Sequence, residues 1–382
     1  MVINAADSYE IGPIRPPSEA HSLLIRVTRN CPWNRCKFCY TYKGSKFEIR
    51  PVAEIKQDID KVKKYYDAIK VAAAKMGYSG DIRKAARILA ENAPGEAFYN
   101  VATWLFAGGE NVFIQDADSL VLPTGQLLEI LQYLKNTFPG IKRITSYARS
   151  HTAARKTIEE LKQLYEAGLT RLHIGLESGS DPVLEFMDKG VTSAEHIKGG
   201  KNVVASGISL CEYVLLGAGG KKMWPEHAIA TAKVLSEINP DYIRIRTLTV
   251  NKQMPLYKEV VNGEFVRSND KDTVREERII IENLNCTSNF ISDHATNLLQ
   301  ELEGKMPGDK EKLLAIIDRF LELSPEDKIN FELGRRLGVY SRLDDMEDHE
   351  RRQGVNQYAG QLIDSSPEVI ENVIWELMER FI

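Results

Sequence analysis

Hydrophobic and polar positions along this chain switch between two periods. Short apolar runs of strand character are Leu23-Leu24-Ile25-Arg26-Val27-Thr28, Val112-Phe113-Ile114, Arg143-Ile144-Thr145-Ser146-Tyr147, Arg171-Leu172-His173-Ile174-Gly175-Leu176, Leu210 to Leu216 and Tyr242 to Leu248. Between them, apolar residues recur at helical spacing. Ile55, Ile59, Val62, Tyr66 and Ile69 mark one helix, Ile82, Ala85, Ile88 and Leu89 a second, and Ala97 to Phe106 a third. Thr124 is expected to cap a helix carrying Leu127, Leu128, Leu131 and Leu134. Thr157 with Glu160, and Thr192 with Glu195, have the spacing of capping boxes. Asp181 and Pro182 fit the N-cap and first position of a short helix, and another helix is expected from about Pro225 to Ile238.

Six strands, each reached from the last through a helix, predict right-handed crossovers and a parallel sheet, either doubly wound or a partial barrel. Beyond about residue 250 the strand pattern stops, and helices are expected over 272–284, 290–303, 308–323 and 367–381, the last with Ser366 as N-cap and Pro367 behind it. The expected organisation is an extended N-terminal arm over 1–20, a β/α unit over 21–250 and a helical C-terminal domain over 251–382.

Composition narrows the function classes. With 382 residues, 43% of them hydrophobic and 27% charged, the chain has the material for a full core. A net charge of -4 gives no basic footprint, so nucleic acid is not the expected partner. No apolar run approaches the roughly 18–20 residues of a membrane helix, and no membrane partner is expected. The start, Met1 to Asp7, lacks the basic region and apolar core of a signal peptide, so a cytoplasmic location is expected.

Three of the five cysteines fall within nine residues, Cys31-Pro32-Trp33-Asn34-Arg35-Cys36-Lys37-Phe38-Cys39, just after the first strand. Such a cluster makes a poor disulfide framework, and in a reducing compartment it points to metal. One reading is half of a zinc site. Structural zinc takes four ligands, and Cys211 and Cys286 are isolated from the cluster. The other is an iron–sulfur cluster. Three thiolates on one tight loop can hold three irons of four, leaving the fourth iron open to chemistry.

The loop resembles that of the radical S-adenosylmethionine (radical SAM) superfamily, whose usual signature is Cys-x3-Cys-x2-Cys with an aromatic residue before the third cysteine. Here Phe38 precedes Cys39, and the spacing is the variant Cys-x4-Cys-x2-Cys. The stretch His173 to Leu184 also resembles the fourth strand of radical SAM tRNA methylthiotransferases, elongator acetyltransferases and the coproporphyrinogen dehydrogenase-like group. The resemblance implies an α/β fold, a partial (β/α)6 TIM-like barrel. It implies a 4Fe–4S cluster on Cys31, Cys36 and Cys39, with S-adenosylmethionine on the open iron. It further implies one-electron cleavage of the sulfonium bond to start radical chemistry, and an electron donor such as flavodoxin or ferredoxin. Phe38 is implied as a cofactor contact. No residue is identified as catalytic; a small-molecule substrate is expected, and neither its identity nor the reaction is implied.

Independently of any family, chemistry in parallel barrels gathers at the C-terminal ends of the strands. That rule picks Gln115, Asp116 and Asp118 after the second strand, Arg149 after the third, Glu177 after the fourth and Gly217 after the fifth. In the family setting these positions hold parts of S-adenosylmethionine. The family often has Gly-Gly-Glu after the second strand. Here Gly108-Gly109-Glu110 precedes Val112, so the glycines either stop the preceding helix or form the motif behind a strand at Trp104-Leu105-Phe106. His173 reads as a core histidine. Arg244 and Arg246 share one face of the sixth strand and either bind an acidic substrate or face solvent. Ser292, Asp293, His294 and Asn297 form a polar patch, either helix caps or, for His294, a substrate contact.

The reading is a radical SAM enzyme of unassigned reaction. The alternatives are a non-catalytic iron–sulfur carrier or scaffold, and a zinc-stabilised binding module.

Overall fold

The computed structural model of the chain describes residues 8–360 and 366–381. Residues 1–7, on which the absence of a leader was read, lie outside them. The chain divides into two compact units, one within 1–34, 41–174 and 202–210, the other within 35–40, 175–201 and 211–382.

The first unit contains β1 (Leu23–Arg26), β2 (Thr28–Arg29), β3 (Glu48–Ile49), α1 (Val52–Lys75), α2 (Ile82–Glu91), α3 (Glu96–Phe106), β4 (Asn111–Gln115), α4 (Thr124–Thr137), β5 (Arg143–Ala148), α5 (Ser150–Ala153), α6 (Ile158–Glu166) and most of β6 (Leu169–Glu177). β1 lies parallel to β4 with Arg26 opposite Gln115, β4 parallel to β5, and β5 parallel to β6. The apolar runs are continuous because helices cover such sheets; Leu23, Ile25, Val112, Ile114 and Leu172 are buried. Ile55, Ile59, Val62 and Ile69 of α1 are all fully buried, as their spacing predicts.

Several expectations change. In α2 only Ala85 and Ala86 are buried and Ile88 is 40% exposed, so the buried stripe is narrower than its pattern. Thr124 does not cap α4; it is the first helical residue behind Pro123, and its hydroxyl donates to Glu160 Oε1 at 2.6 Å. Thr157 and Glu160 do form the capping box. Trp104 to Phe106 end α3, and Gly108 and Gly109 stop it at φ +110° and +73°, their amides bonding the carbonyls of Leu105 and Trp104. That is the helix-stop reading of the two glycines. β3 was not foreseen; with β2 it makes a two-residue antiparallel ladder, Thr28 opposite Ile49.

The second unit holds the end of β6, then α7 (Asp181–Phe186), most of α8 (Ser193–Ala205) and of β7 (Ser209–Leu216), α9 (Gly220–Ile238), β8 (Tyr242–Thr247), α10 (Leu256–Val261), α11 (Asp270–Asn283), β9 (Asn289–Ile291), β10 (Glu303–Lys305), α12 (Lys310–Glu322), α13 (Pro325–Arg336), α14 (His349–Ala359) and α15 (Pro367–Met378). β7 and β8 are parallel with Tyr213 opposite Arg244, β8 and β9 are parallel, and β9 and β10 antiparallel. The main sheet has eight strands and is mostly parallel, which bears out the α/β class.

Strands therefore do not stop at residue 250. The helix expected over 290–303 is β9, a turn-rich loop and the start of β10. Phe290 lies opposite Ile243 and is fully buried, so sheet pairing overrides the local helical pattern. α9 begins at Gly220 and carries Pro225 inside it. Asp181 sits inside α7 behind the N-cap Ser180, and its carboxylate accepts from the Ser193 amide at 2.6 Å. Thr192 and Glu195 exchange their capping bonds. No helix among the described residues is long and apolar enough to cross a membrane.

One strand carries an unusual load. Glu212 of β7 is fully buried, and neither carboxylate oxygen has a hydrogen-bond partner among the described residues. Burial raises its pKa well above the carboxylate range, opposed by Lys189 and reinforced by Glu177. The folded protein holds this proton where the unfolded chain, above about pH 4, has released it, so the group costs stability as pH rises. Glu212→Gln is expected to raise stability at pH 7 by about 1.4 kcal/mol for each pH unit above about 4 over which the folded carboxyl stays protonated, with the gain vanishing below about pH 4. Thermal unfolding of both proteins between those pH values checks this; a gain independent of pH would contradict the titration.

Candidate functional site

In the first unit the site is built around Asp116, the residue after β4. It is fully buried. Its Oδ2 accepts from Arg26 Nη2 at 2.6 Å, Arg26 Nε at 3.0 Å and the Asn30 amide at 3.2 Å; its Oδ1 accepts from the Tyr42 hydroxyl at 2.5 Å. Burial raises the Asp116 pKa against the pull of Tyr42 and Arg26. Burial, with Asp116 beside it, also drives the Tyr42 pKa upward. Asn30 and Tyr42 flank the cysteine segment, so one carboxylate ties both its ends. Arg29 and Arg50 extend the network, Arg29 to Glu10 at 2.7 Å and Arg50 to Asp58 at 2.7 Å.

The other positions after β4 and β5 are committed differently. The Gln115 side chain accepts from the Gly12 amide at 2.9 Å and donates to the Gly12 and Ile14 carbonyls at 3.1 and 2.8 Å, fastening the N-terminal arm. Asp118 is buried, accepts from the Arg149 amide at 3.3 Å and the Thr152 hydroxyl at 2.5 Å, and is pushed up to about 6 by burial. It organises the turn into α5. The Arg149 guanidinium lies 5.2 Å from the ring of Trp33, between the first two cysteines. His173 is buried and stacks edge-on with Tyr147 and Phe113, as a core histidine should.

In the second unit Lys37 is pinned by its backbone, its amide to the Met187 carbonyl and its carbonyl to the Leu256 amide, both at 2.9 Å. Phe38 packs on a buried cluster that includes Met187, Leu215 and Phe265. Lys189 Nζ stands 5.5 Å from the Phe38 ring and donates to Glu177 Oε1 at 3.1 Å. Glu177 ends β6 at φ +63°, and its carboxylate folds over Gly175, where a Cβ would come within 2.2 Å of Oε1. Gly217, at φ +78°, gives its amide to Glu276 Oε1 at 2.9 Å; Glu276 faces His227 at 3.1 Å, and His227 Nδ1 meets Ser178 Oγ at 2.7 Å.

Thus Glu177 and Phe38 come together through Lys189, and Arg149 meets the cysteine segment through Trp33. Gln115 and Asp118 are turned inward to structural partners, and the Gly217 amide is bonded to Glu276. Sequence reasoning missed Arg26, Tyr42 and Lys189. Only Tyr42, three residues past Cys39, lay where a signal could have been sought.

The three cysteines form no disulfide and are half-buried, and Cys31 Sγ accepts from the Asn34 amide at 3.4 Å. Among the described residues no three His, Cys, Asp or Glu side chains are gathered as metal ligands. Three cysteines on one short segment fit a thiolate-bound cluster by the chemistry of the donor set.

Residues 91–232 match the Radical SAM superfamily. That span runs from the last residue of α2 through α3 and β4 to most of α9, and excludes the cysteine segment. An uncharacterized protein of Methanocaldococcus jannaschii is 31% identical over 94 residues, 25% of this chain and 29% of that protein. Among solved structures, a radical S-adenosylmethionine methyltransferase from Kitasatospora setae, with cobalamin and a 4Fe–4S cluster bound, is 14% identical at a TM-score of 0.44, covering 88% of this chain and 61% of that one. Streptococcus suis SuiB bound to S-adenosylmethionine is 14% identical at 0.40, covering 71% and 50%. The chain thus spans under two thirds of each of these proteins.

Asp116→Asn keeps the shape of the anchor but removes its charge and one acceptor. It is expected to cost about 1–3 kcal/mol and to speed alkylation of Cys31, Cys36 and Cys39 in the metal-free protein. Iodoacetamide labelling followed by mass spectrometry measures this, and unchanged labelling rates would show that the anchor does not order the segment.

Proposed function

We propose, from the premise that this chain carries a Radical SAM superfamily domain over residues 91–232, that it is an enzyme cleaving S-adenosylmethionine reductively at a 4Fe–4S cluster. The reaction acts on a small-molecule substrate and is otherwise unassigned. The observation that carries the reading is the cysteine segment itself: three cysteines outside any disulfide, between Asn30 and Tyr42, both of which bond to Asp116 just after β4. Cys31, Cys36 and Cys39 would hold the cluster. When bound, it supplies one electron to the sulfonium bond of S-adenosylmethionine.

The chain's own residues bind, orient and exclude water. Asp116 fixes the ends of the ligand-bearing segment, and Arg149 steadies Trp33 within it. Phe38 and its apolar neighbours give the segment a dry flank. Glu177, held by Lys189, offers a carboxylate oxygen that can accept from the ribose hydroxyls of S-adenosylmethionine. Half-buried cysteines outside any disulfide fit a reducing cytoplasm and an outside electron donor such as flavodoxin or ferredoxin.

Anaerobic reconstitution tests the reading. The wild type should bind four irons per chain, as a 4Fe–4S cluster requires, and form 5′-deoxyadenosine from S-adenosylmethionine and dithionite; Cys36→Ala should lose most of its iron. Iron without 5′-deoxyadenosine would support a carrier or scaffold, and zinc retained in place of iron a binding module. Glu177→Ala should keep full iron while weakening S-adenosylmethionine by about 1–3 kcal/mol, read by calorimetry; unchanged affinity would make Glu177 structural.

A further inference from the structure

Parallel register places two arginines beside a tyrosine in the second unit. Tyr213 of β7 lies opposite Arg244 of β8, and Leu215 opposite Arg246. Side chains two apart on a strand share a face, so both cations stand on one side of the sheet, about 7 Å apart along the strand. It is the side of Leu215, which packs in the same cluster as Phe38.

The charges on this face do not cancel. Arg244 Nη2 pairs with Asp293 Oδ2 at 2.5 Å. The half-buried Arg246 guanidinium lies 5.0 Å from the Tyr213 ring, and no carboxylate among the described residues is within ion-pair distance of it. His294, beside Asp293, completes the cluster. Its Nδ1 accepts from the Thr296 amide at 3.3 Å and meets the Thr296 hydroxyl at 2.7 Å, which leaves the proton on Nε2, a donor with no partner among the described residues. Burial and the neighbouring Arg246 hold His294 down at about 4, so it is neutral at pH 7 and adds no charge. Two arginines against one aspartate leave one positive charge, on a side chain whose planar donors face no acid. A half-buried guanidinium is costly to hold in that state unless an anion completes it.

We propose that Arg246, with Arg244 and His294 Nε2, forms a recognition site for a small oxyanion, a carboxylate or phosphate group carried by the substrate. The assignment to substrate rests on the enzymatic reading above. Guanidinium donors match the fork of either oxyanion. Tyr213 supports the Arg246 plane by stacking, and Asp293 keeps Arg244 from over-charging the face.

The metal-free full-length protein allows a test that needs no cluster. It is titrated by calorimetry at constant ionic strength with sodium phosphate and, separately, with sodium acetate. One of the two is expected to bind one to one, and which one names the oxyanion. Arg246→Gln should weaken that binding at least tenfold, Arg246→Lys should restore part of it, and Arg319→Gln, a surface control, should leave it unchanged. Binding of neither anion by the wild type, or equal weakening by the control, overturns the site. Equal thermal midpoints for Arg246→Lys and wild type exclude misfolding as the cause. In the iron-loaded protein, Arg246→Gln should retain 5′-deoxyadenosine formation without substrate; its loss would assign the cation to S-adenosylmethionine and overturn the proposal. If the wild type itself forms no 5′-deoxyadenosine, the enzymatic reading fails while the anion titration still stands or falls alone.

Discussion

A single buried carboxylate, Asp116, receives four donors from three places in the chain: Arg26 at the end of β1, the amide of Asn30 and the hydroxyl of Tyr42. Removing it from water is unfavourable, and only dense hydrogen bonding makes its burial tolerable. The consequence is directional. Because each donor must be in place for the charge to be satisfied, strand end, segment start and segment end are specified together. The three cysteines lie between two of those fixed points.

The second unit follows the same logic with different groups. Glu177 is held by Lys189, and the adjacent Ser178 enters a buried chain through His227 and Glu276 to the Gly217 amide. Polar side chains thereby connect the ends of β6 and β7 to α9 and α11. Glycine at 175 and 217 is required for separate reasons: a carboxylate folded over the first, and a left-handed backbone at the second.

Much of this was legible from the chain. All six expected strands exist, because each pairs an apolar or β-branched run with neighbouring turn signals, and the two capping boxes read from Thr-x-x-Glu spacing both form. The cysteine cluster needed only counting. Asp116 was chosen as a strand-end residue, but its partners were invisible, since Arg26 and Tyr42 meet it only through β1–β4 register and loop closure. Lys189 has no pattern of its own. The stretch 289–305 failed as a helix because its fate is decided by pairing with β8, a tertiary contact that local periodicity does not encode.

The clasp at Asp116 has an entropic side. Joining Asn30 and Tyr42 through one carboxylate closes a loop of about a dozen residues, and the cost of closure grows only with the logarithm of loop length. One more residue in such a loop adds less than about 0.1 kcal/mol. Folding is therefore nearly indifferent to whether three or four residues separate Cys31 from Cys36. The spacing is free to follow the reach the thiols need, and length variation inside the clasp leaves the scaffold outside it unchanged.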